Sequence, residues 1–289
     1  MNAPIALFFD LFKLRIGLVI GFTALAGLVV TPGDAPATWR AALLVLAVVV
    51  SSAAAGAFNQ YVERDIDARM ARTKRRPFVT GRLVHSRRWL AVIALMCAGS
   101  VVVAALATNA LAALYTFLGA FVYGVVYTVW LKRRTWLNIV IGGLAGSFAV
   151  LAGAAAVTPG GLEATPLALA VVLFLWTPPH FWSLAIACRA DYQAAGVPML
   201  PAVVGDARAA RAVLAGTVLL VSASLVPALT GLSWLYAIAA IASGAYFLHK
   251  SVALVRAPSR QTAMANFHAS LVQLTLLLTA AIVDAALLG

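Results

Sequence analysis

Apolar positions in this chain come in long unbroken stretches, not in the alternating or one-faced patterns of soluble strands and helices. Nine stretches can be read: near Ile16 to Val30, Ala41 to Gln60, Leu90 to Ala107, Ala110 to Leu131, Leu137 to Val157, Pro166 to Ala187, Ala212 to Leu229, Trp234 to Phe247 and Phe267 to Leu288. Crossing a hydrocarbon layer of about 30 Å takes about 20 residues of helix. Backbone groups in lipid have to be satisfied internally, so such segments are helical. The pattern predicts an all-α integral membrane protein, a bundle of nine transmembrane helices. Short loops and the absence of a repeat or low-complexity linker make residues 1–289 one polytopic domain.

Composition agrees with this reading and excludes a soluble core: 63% of residues are hydrophobic and 10% charged, against roughly 45–50% and about 25% in soluble domains. The net charge of +12 would suggest nucleic acid if the basic residues were clustered on a soluble face. With nine spans, however, every Lys and Arg except Arg40 falls on one side of the membrane. By the positive-inside rule that side is cytoplasmic, which gives an N-in, C-out topology with Arg82 inside and Gly33, Gly161 and Gly289 outside. The basicity is thus a topology signal, and no nucleic-acid partner is expected. The first apolar run exceeds a secretory h-region and eight more follow, so it reads as retained, and a bacterial inner membrane is the simplest location. Cys97 and Cys188 have no metal-ligand spacing and read as apolar filler.

The informative positions are three polar islands on the cytoplasmic side. The first, NQYVERDIDARMARTKRRP from Asn59 to Pro77, ends the second stretch. If the helix continues past Gln60, Asn59, Gln60, Glu63 and Asp67 share an arc of about 100°, with Glu63 and Asp67 stacked at i and i+4. Asp65 points off that arc and is the weaker metal candidate. Stacked like charges repel unless something positive lies against them. Mg²⁺ suits this place, being hard, oxygen-seeking and commonly held by one or two carboxylates together with substrate phosphates. Arg72, Lys74 and Arg76 could hold the same phosphates. The alternative is a solvated loop whose acids and bases pair only with each other. The second island, RADYQAAGVPMLP, carries Asp191 and Tyr192, and the third, YTVWLKRRT, carries Tyr127 and Lys132.

The Asn59–Pro77 segment resembles the first aspartate-rich motif of the UbiA-type intramembrane prenyltransferases. Within that superfamily MARTKRRP, LKRRTWLNIVIGG, WTPPHFWSLA and DYQAAGVPMLP, in this order, are similar to the protohaem IX farnesyltransferases, or haem O synthases. The resemblance runs from roughly residue 10 to 210 and more weakly beyond. It implies a nine-helix UbiA-type bundle with a central cavity capped by cytoplasmic loops. It further implies transfer of the farnesyl group of farnesyl diphosphate to a vinyl group of haem b, with addition of water, giving haem O and pyrophosphate. Asn59, Glu63, Asp67 and Asp191 match the family's metal and diphosphate positions, and Arg72 and Arg76 its basic tail. Gln60 and Ala195 stand where the wider superfamily has acids, a thinning shared by the haem branch. Haem A synthase and terminal-oxidase assembly factors are the candidate protein partners, and membrane lipid is the surrounding.

The acceptor side is marked by WTPPHFW, where His180 lies inside the sixth stretch, a costly place for a polar group. Trp176 and Trp182 offer flat apolar surface beside it, and Pro178 and Pro179 remove two helix hydrogen bonds. The imidazole either ligates haem iron or bonds a carbonyl freed by the prolines. His85, in the basic loop, could meet a haem propionate or simply water. Two other functions compete: a UbiA-type enzyme with an aromatic or quinone-precursor acceptor, and a transporter or haem-handling protein. The second would need charges within the membrane core, whereas nearly all lie at its edge.

Overall fold

The computed structural model describes residues 3–160 and 163–288; Gly161 and Gly289, expected on the far side of the membrane, lie outside the described residues. All regular elements among the described residues are helical. They are α1 (Ala3–Leu11), α2 (Leu14–Val29), α3 (Thr38–Val62), α4 (Arg64–Arg69), α5 (Pro77–Thr80), α6 (Arg87–Ala107) and α7 (Ala110–Phe121), the last continuing as a π-helix over Val122–Leu131. There follow α8 (Asn138–Gly142), α9 (Leu144–Val157), α10 (Ala164–Ala187), α11 (Arg189–Ala194), α12 (Leu200–Val204), α13 (Asp206–Ala223), α14 (Val226–Thr230), α15 (Trp234–Arg256) and α16 (Arg260–Leu288).

Counting α7 with its π-helix, α8 with α9 and α13 with α14 as single rods, eight helices among the described residues are long and apolar enough to cross a membrane, and the chain is a multi-pass membrane protein. The first expected span is α2, apolar but only 16 residues, about 24 Å at 1.5 Å per residue, and so shorter than a full crossing. The eighth, expected to stop at Phe247, runs on to Arg256. Each long helix packs on the next in sequence, from α2 to α16, and α16 returns to α2, closing a ring.

Lipid offers no hydrophobic drive for helix to meet helix, so close approach depends on small residues and on polar ties. Where α2 crosses α9, a Cβ at Gly27 would collide with the Val150 carbonyl, and one at Gly153 with the Ala24 carbonyl. The two backbones touch there because both positions lack a side chain. Polar ties act on the other side of the ring. Asn266 on α16 donates to Ser183 on α10 (2.9 Å) and accepts from Ser251 on α15 (2.9 Å). Asp284, near the end of α16, accepts from the Ser233 and Tyr236 amides (2.8 and 2.9 Å) and so caps α15. This buried acid is fully used by the fold.

Candidate functional site

The ring encloses a cavity of about 590 Å³, charged at one end and apolar along most of its length. At the charged end α3 stops at Val62, where Glu63 leaves helical geometry (φ −90°, ψ 13°). The Asp67 amide nonetheless donates to the Glu63 carbonyl (2.8 Å), so α4 continues the same turn. Glu63 and Asp67 therefore stack into the cavity, 1% and 2% exposed, while Asp65 faces out and pairs with Arg133 (2.7 Å). Asn59 joins the two buried acids. Gln60 does not: its amide donates to the carbonyls of Asp10 (2.6 Å) and Leu11 (3.2 Å) and ties α1 to α3.

Each buried acid has a cationic partner. Lys132 Nζ donates to Glu63 Oε2 (2.6 Å), and Arg76 Nη1 donates to both Asp67 oxygens (2.8 and 2.7 Å). Burial raises the Asp67 carboxyl above its ordinary range, although Arg76 opposes the shift. The Arg133 hydrogen bond instead lowers that of exposed Asp65. Glu63 Oε1 is buried and has no partner among the described residues. Such an unpartnered oxygen, on a residue that lines the charged end of the cavity, fits a hard cation, which takes oxygen ligands readily.

Lys13 was legible in the sequence only as a topology charge, yet it completes this end. It sits in the left-handed region (φ 47°, ψ 42°) between α1 and α2, at a cost of roughly 1–3 kcal/mol for a residue with a Cβ. The bend turns its ammonium inward, where Nζ donates to Asn59 Oδ1 (2.6 Å) and to the Tyr123 hydroxyl (3.0 Å). Burial, followed by repulsion from Arg76, pushes its pKa down to about 7. Tyr123 was also not singled out by sequence. The π-helix explains its place, since i→i+5 hydrogen bonding aligns residues five apart. Tyr123 falls in register with Thr128, and Tyr127 with Lys132, whose amide donates to the Tyr127 carbonyl (2.9 Å). Thr128 Oγ1 accepts from Asn59 Nδ2 (3.0 Å), and Lys132 Nζ lies 5.5 Å from the Tyr127 ring centroid.

The second polar island folds over the first. Asp191 accepts from the backbone amides of Ala71 (3.1 Å) and Arg72 (3.3 Å), so it pins the Met70–Arg76 loop and does not line the cavity itself. Arg72 and Tyr192 do line it, linked at 3.3 Å. Lys74 is exposed and outside the cavity lining. His85 is likewise apart: it stacks on Tyr61 (4.0 Å) and bonds the Tyr61 carbonyl (3.0 Å) beside a separate surface groove.

The apolar length of the cavity reaches α10 and α16. His180 and Trp176 line it, with the imidazole between Trp176 (4.0 Å) and Phe267 (4.4 Å), both rings stacked on it. Its Nδ1 meets Ser270 Oγ at 2.6 Å and no freed carbonyl. Helix α10 runs unbroken through Pro178 and Pro179. Trp182 turns away from the cavity into the packing around Tyr192, 6.3 Å from Trp136. Ile16 and Val19 of α2 and Leu271 of α16 line the cavity and are exposed, so the cavity is accessible along the α2–α16 seam.

Residues 20–277 match the UbiA prenyltransferase family. A protoheme IX farnesyltransferase 2 of Paramagnetospirillum magneticum is 55% identical over 289 residues, the full length of both chains. A protoheme IX farnesyltransferase of Thermus thermophilus is 42% identical over 275 residues, 95% of this chain and 45% of that protein. Among solved structures, a digeranylgeranylglyceryl phosphate synthase superposes with TM-score 0.78 at 18% identity over 97% of this chain and 98% of that one. A UbiA homologue from Archaeoglobus fulgidus bound to GPP and Mg²⁺ does so with TM-score 0.69 at 17% identity, over 96% and 99%. The fold, the charged cavity end and these relatives agree: the chain is a membrane-embedded prenyltransferase and belongs to the UbiA prenyltransferase family.

Proposed function

We propose that the chain, working as one polytopic unit, transfers the farnesyl group of farnesyl diphosphate to a vinyl group of haem b, with addition of water. The observation that carries the diphosphate half is the buried cluster of Glu63 and Asp67 with Lys132, Arg76 and Lys13, including the unpartnered Glu63 Oε1. The full-length relative named for this activity supports the acceptor.

Asn59, Glu63 and Asp67 would hold Mg²⁺ together with the diphosphate, and Asp191 would serve them by fixing the Arg72 loop. When bound, the metal supplies neutralisation of the leaving pyrophosphate. Lys13, Lys132, Arg72 and Arg76 bind the remaining phosphate oxygens, and Lys132 and Arg76 exchange their carboxylate partners for phosphate as they do so. The allylic C–O bond breaks with its electron pair on pyrophosphate, and the allylic carbon bonds to the vinyl terminus. Water then adds to the neighbouring carbon and releases a proton. Tyr123, Tyr127 and the apolar wall keep water from the cation until the carbon–carbon bond has formed. The seam between α2 and α16 admits both apolar substrates from the bilayer. The charged end would face the cytoplasm of a bacterial inner membrane, a reading that the one-sided placement of the basic residues supports. A reporter fused at Arg82 should read cytoplasmic and one at Gly33 periplasmic.

The decisive assay supplies purified protein with Mg²⁺, farnesyl diphosphate and either haem b or 4-hydroxybenzoate. A more hydrophobic haem, identified by chromatography and mass, is the expected product. Prenylation of the aromatic acid with haem untouched would assign the chain to the quinone-precursor branch.

A further inference from the structure

At the apolar end, one hydroxyl decides the chemistry of one imidazole. Ser270 Oγ donates its only hydrogen to the Phe267 carbonyl (2.6 Å), so toward His180 it can only accept. The 2.6 Å contact to His180 Nδ1 is then Nδ1–H to Oγ. The hydrogen is on Nδ1 and the lone pair on Nε2, and among the described residues the ring's one hydrogen bond is the one at Nδ1. Ser270 is buried and absent from the cavity lining that His180, Phe267 and Leu271 share, which puts it behind the ring. The free nitrogen is on the opposite edge, toward the cavity. Trp176 and Phe267 clamp both faces of the ring, and Trp176 Nε1 donates to the Ser270 carbonyl (2.8 Å), so tautomer and orientation are held from the same residue.

We propose that His180 Nε2 is an axial ligand to the iron of the porphyrin acceptor, and that Ser270 is the positioning residue that keeps this nitrogen unprotonated and aimed. The proposal rests on the haem acceptor proposed above. A metal-binding imidazole characteristically donates its other N–H to a partner that sets its tautomer, and loss of that partner typically lowers metal affinity 10–100-fold. Coordination would also fix the macrocycle's distance from the wall, and with it the vinyl group's distance from the charged end. An aromatic acid has no metal for this nitrogen to hold.

The test is a titration of the purified protein with ferric protoporphyrin IX, without prenyl diphosphate, read by the Soret band and by electron paramagnetic resonance. The parent should bind with an imidazole-ligated signature. His180→Ala should lose the signature and regain it with added imidazole. Ser270→Ala should weaken binding about 10-fold or more, and Ser270→Thr, which keeps the hydroxyl, should restore it. Thermal protection by farnesyl diphosphate with Mg²⁺, retained in all three variants, separates this from misfolding. A parent that prenylates haem but gives the same spectrum as His180→Ala overturns the ligand assignment and leaves the acceptor standing. A parent that neither binds nor prenylates haem overturns both. An unchanged affinity in Ser270→Ala removes Ser270 from the role.

Discussion

The two ends of the cavity solve the problem of a polar group in a membrane protein in different ways. At the charged end every buried carboxylate meets a cation: Glu63 meets Lys132, and Asp67 meets Arg76. Burying such pairs is costly, and their mutual attraction can fail to repay the desolvation, so a cluster of this kind is better explained by a charged ligand that the pairs can turn to. At the other end no Asp, Glu, Lys or Arg among the described residues lines the cavity. His180 is held by one hydroxyl and two aromatic faces, leaving a single lone pair toward the cavity. One end is suited to a polyanion arriving with a metal, the other to a flat apolar molecule with one coordination site. The difference shows why the acidic motif bears on the proposed diphosphate donor and says little about the acceptor.

The largest expected effect is at the paired acids. Glu63→Gln or Asp67→Asn should lower kcat by about 10²–10³, the range for loss of one preorganised electrostatic group. Membrane insertion, read by reporter fusions, should be unaffected. Normal turnover in either variant would mean that the charged end is only structural.

A smaller effect is expected at Lys13. Lys13→Met removes a charge-assisted hydrogen bond to Asn59 and one to Tyr123. At about 1.5–3 kcal/mol for a charged hydrogen bond, the KM for farnesyl diphosphate should rise about 10-fold or more while haem affinity stays constant. A matching loss of haem affinity would show that the two ends do not act separately.

The smallest effect is at Asp65, which shares a segment with Glu63 and Asp67 but not their surroundings. Its side chain is 55% exposed beside Arg133, so Asp65→Asn should cost less than about 1 kcal/mol and change turnover little. The pair lowers the Asp65 carboxyl. Its stabilisation is therefore present above the ordinary carboxylate range and is lost as the pH falls through the lowered folded value. Thermal unfolding of parent and Asp65→Asn should differ slightly at neutral pH and converge in acid. Equal losses of activity in Asp65→Asn and Asp67→Asn would mean that the turn at Glu63 does not hold in the working enzyme.

Residue order alone determined the membrane class, the limits of most helices and the stacking of Glu63 on Asp67, because each depends on local quantities: run length, charge and a spacing of four residues that the turn from α3 into α4 preserves. The arc was right for Asn59, Glu63 and Asp67 and not for Gln60, which the neighbouring α1 claims through two carbonyls. Lys13, Tyr123 and Ser270 left no local signal. Lys13 enters by a left-handed bend, and Tyr123 by a π-register that hydrophobicity does not encode. Ser270, ninety residues from His180, matters only through the packing of α16 on α10. Asp191, Lys74 and Trp182 show the converse: their residue types suit the chemistry, but the packing turned one to the loop amides, one to the surface and one into the core. Tertiary structure decided which side chains share the cavity, because a helix presents several faces and only its neighbours settle which face looks inward.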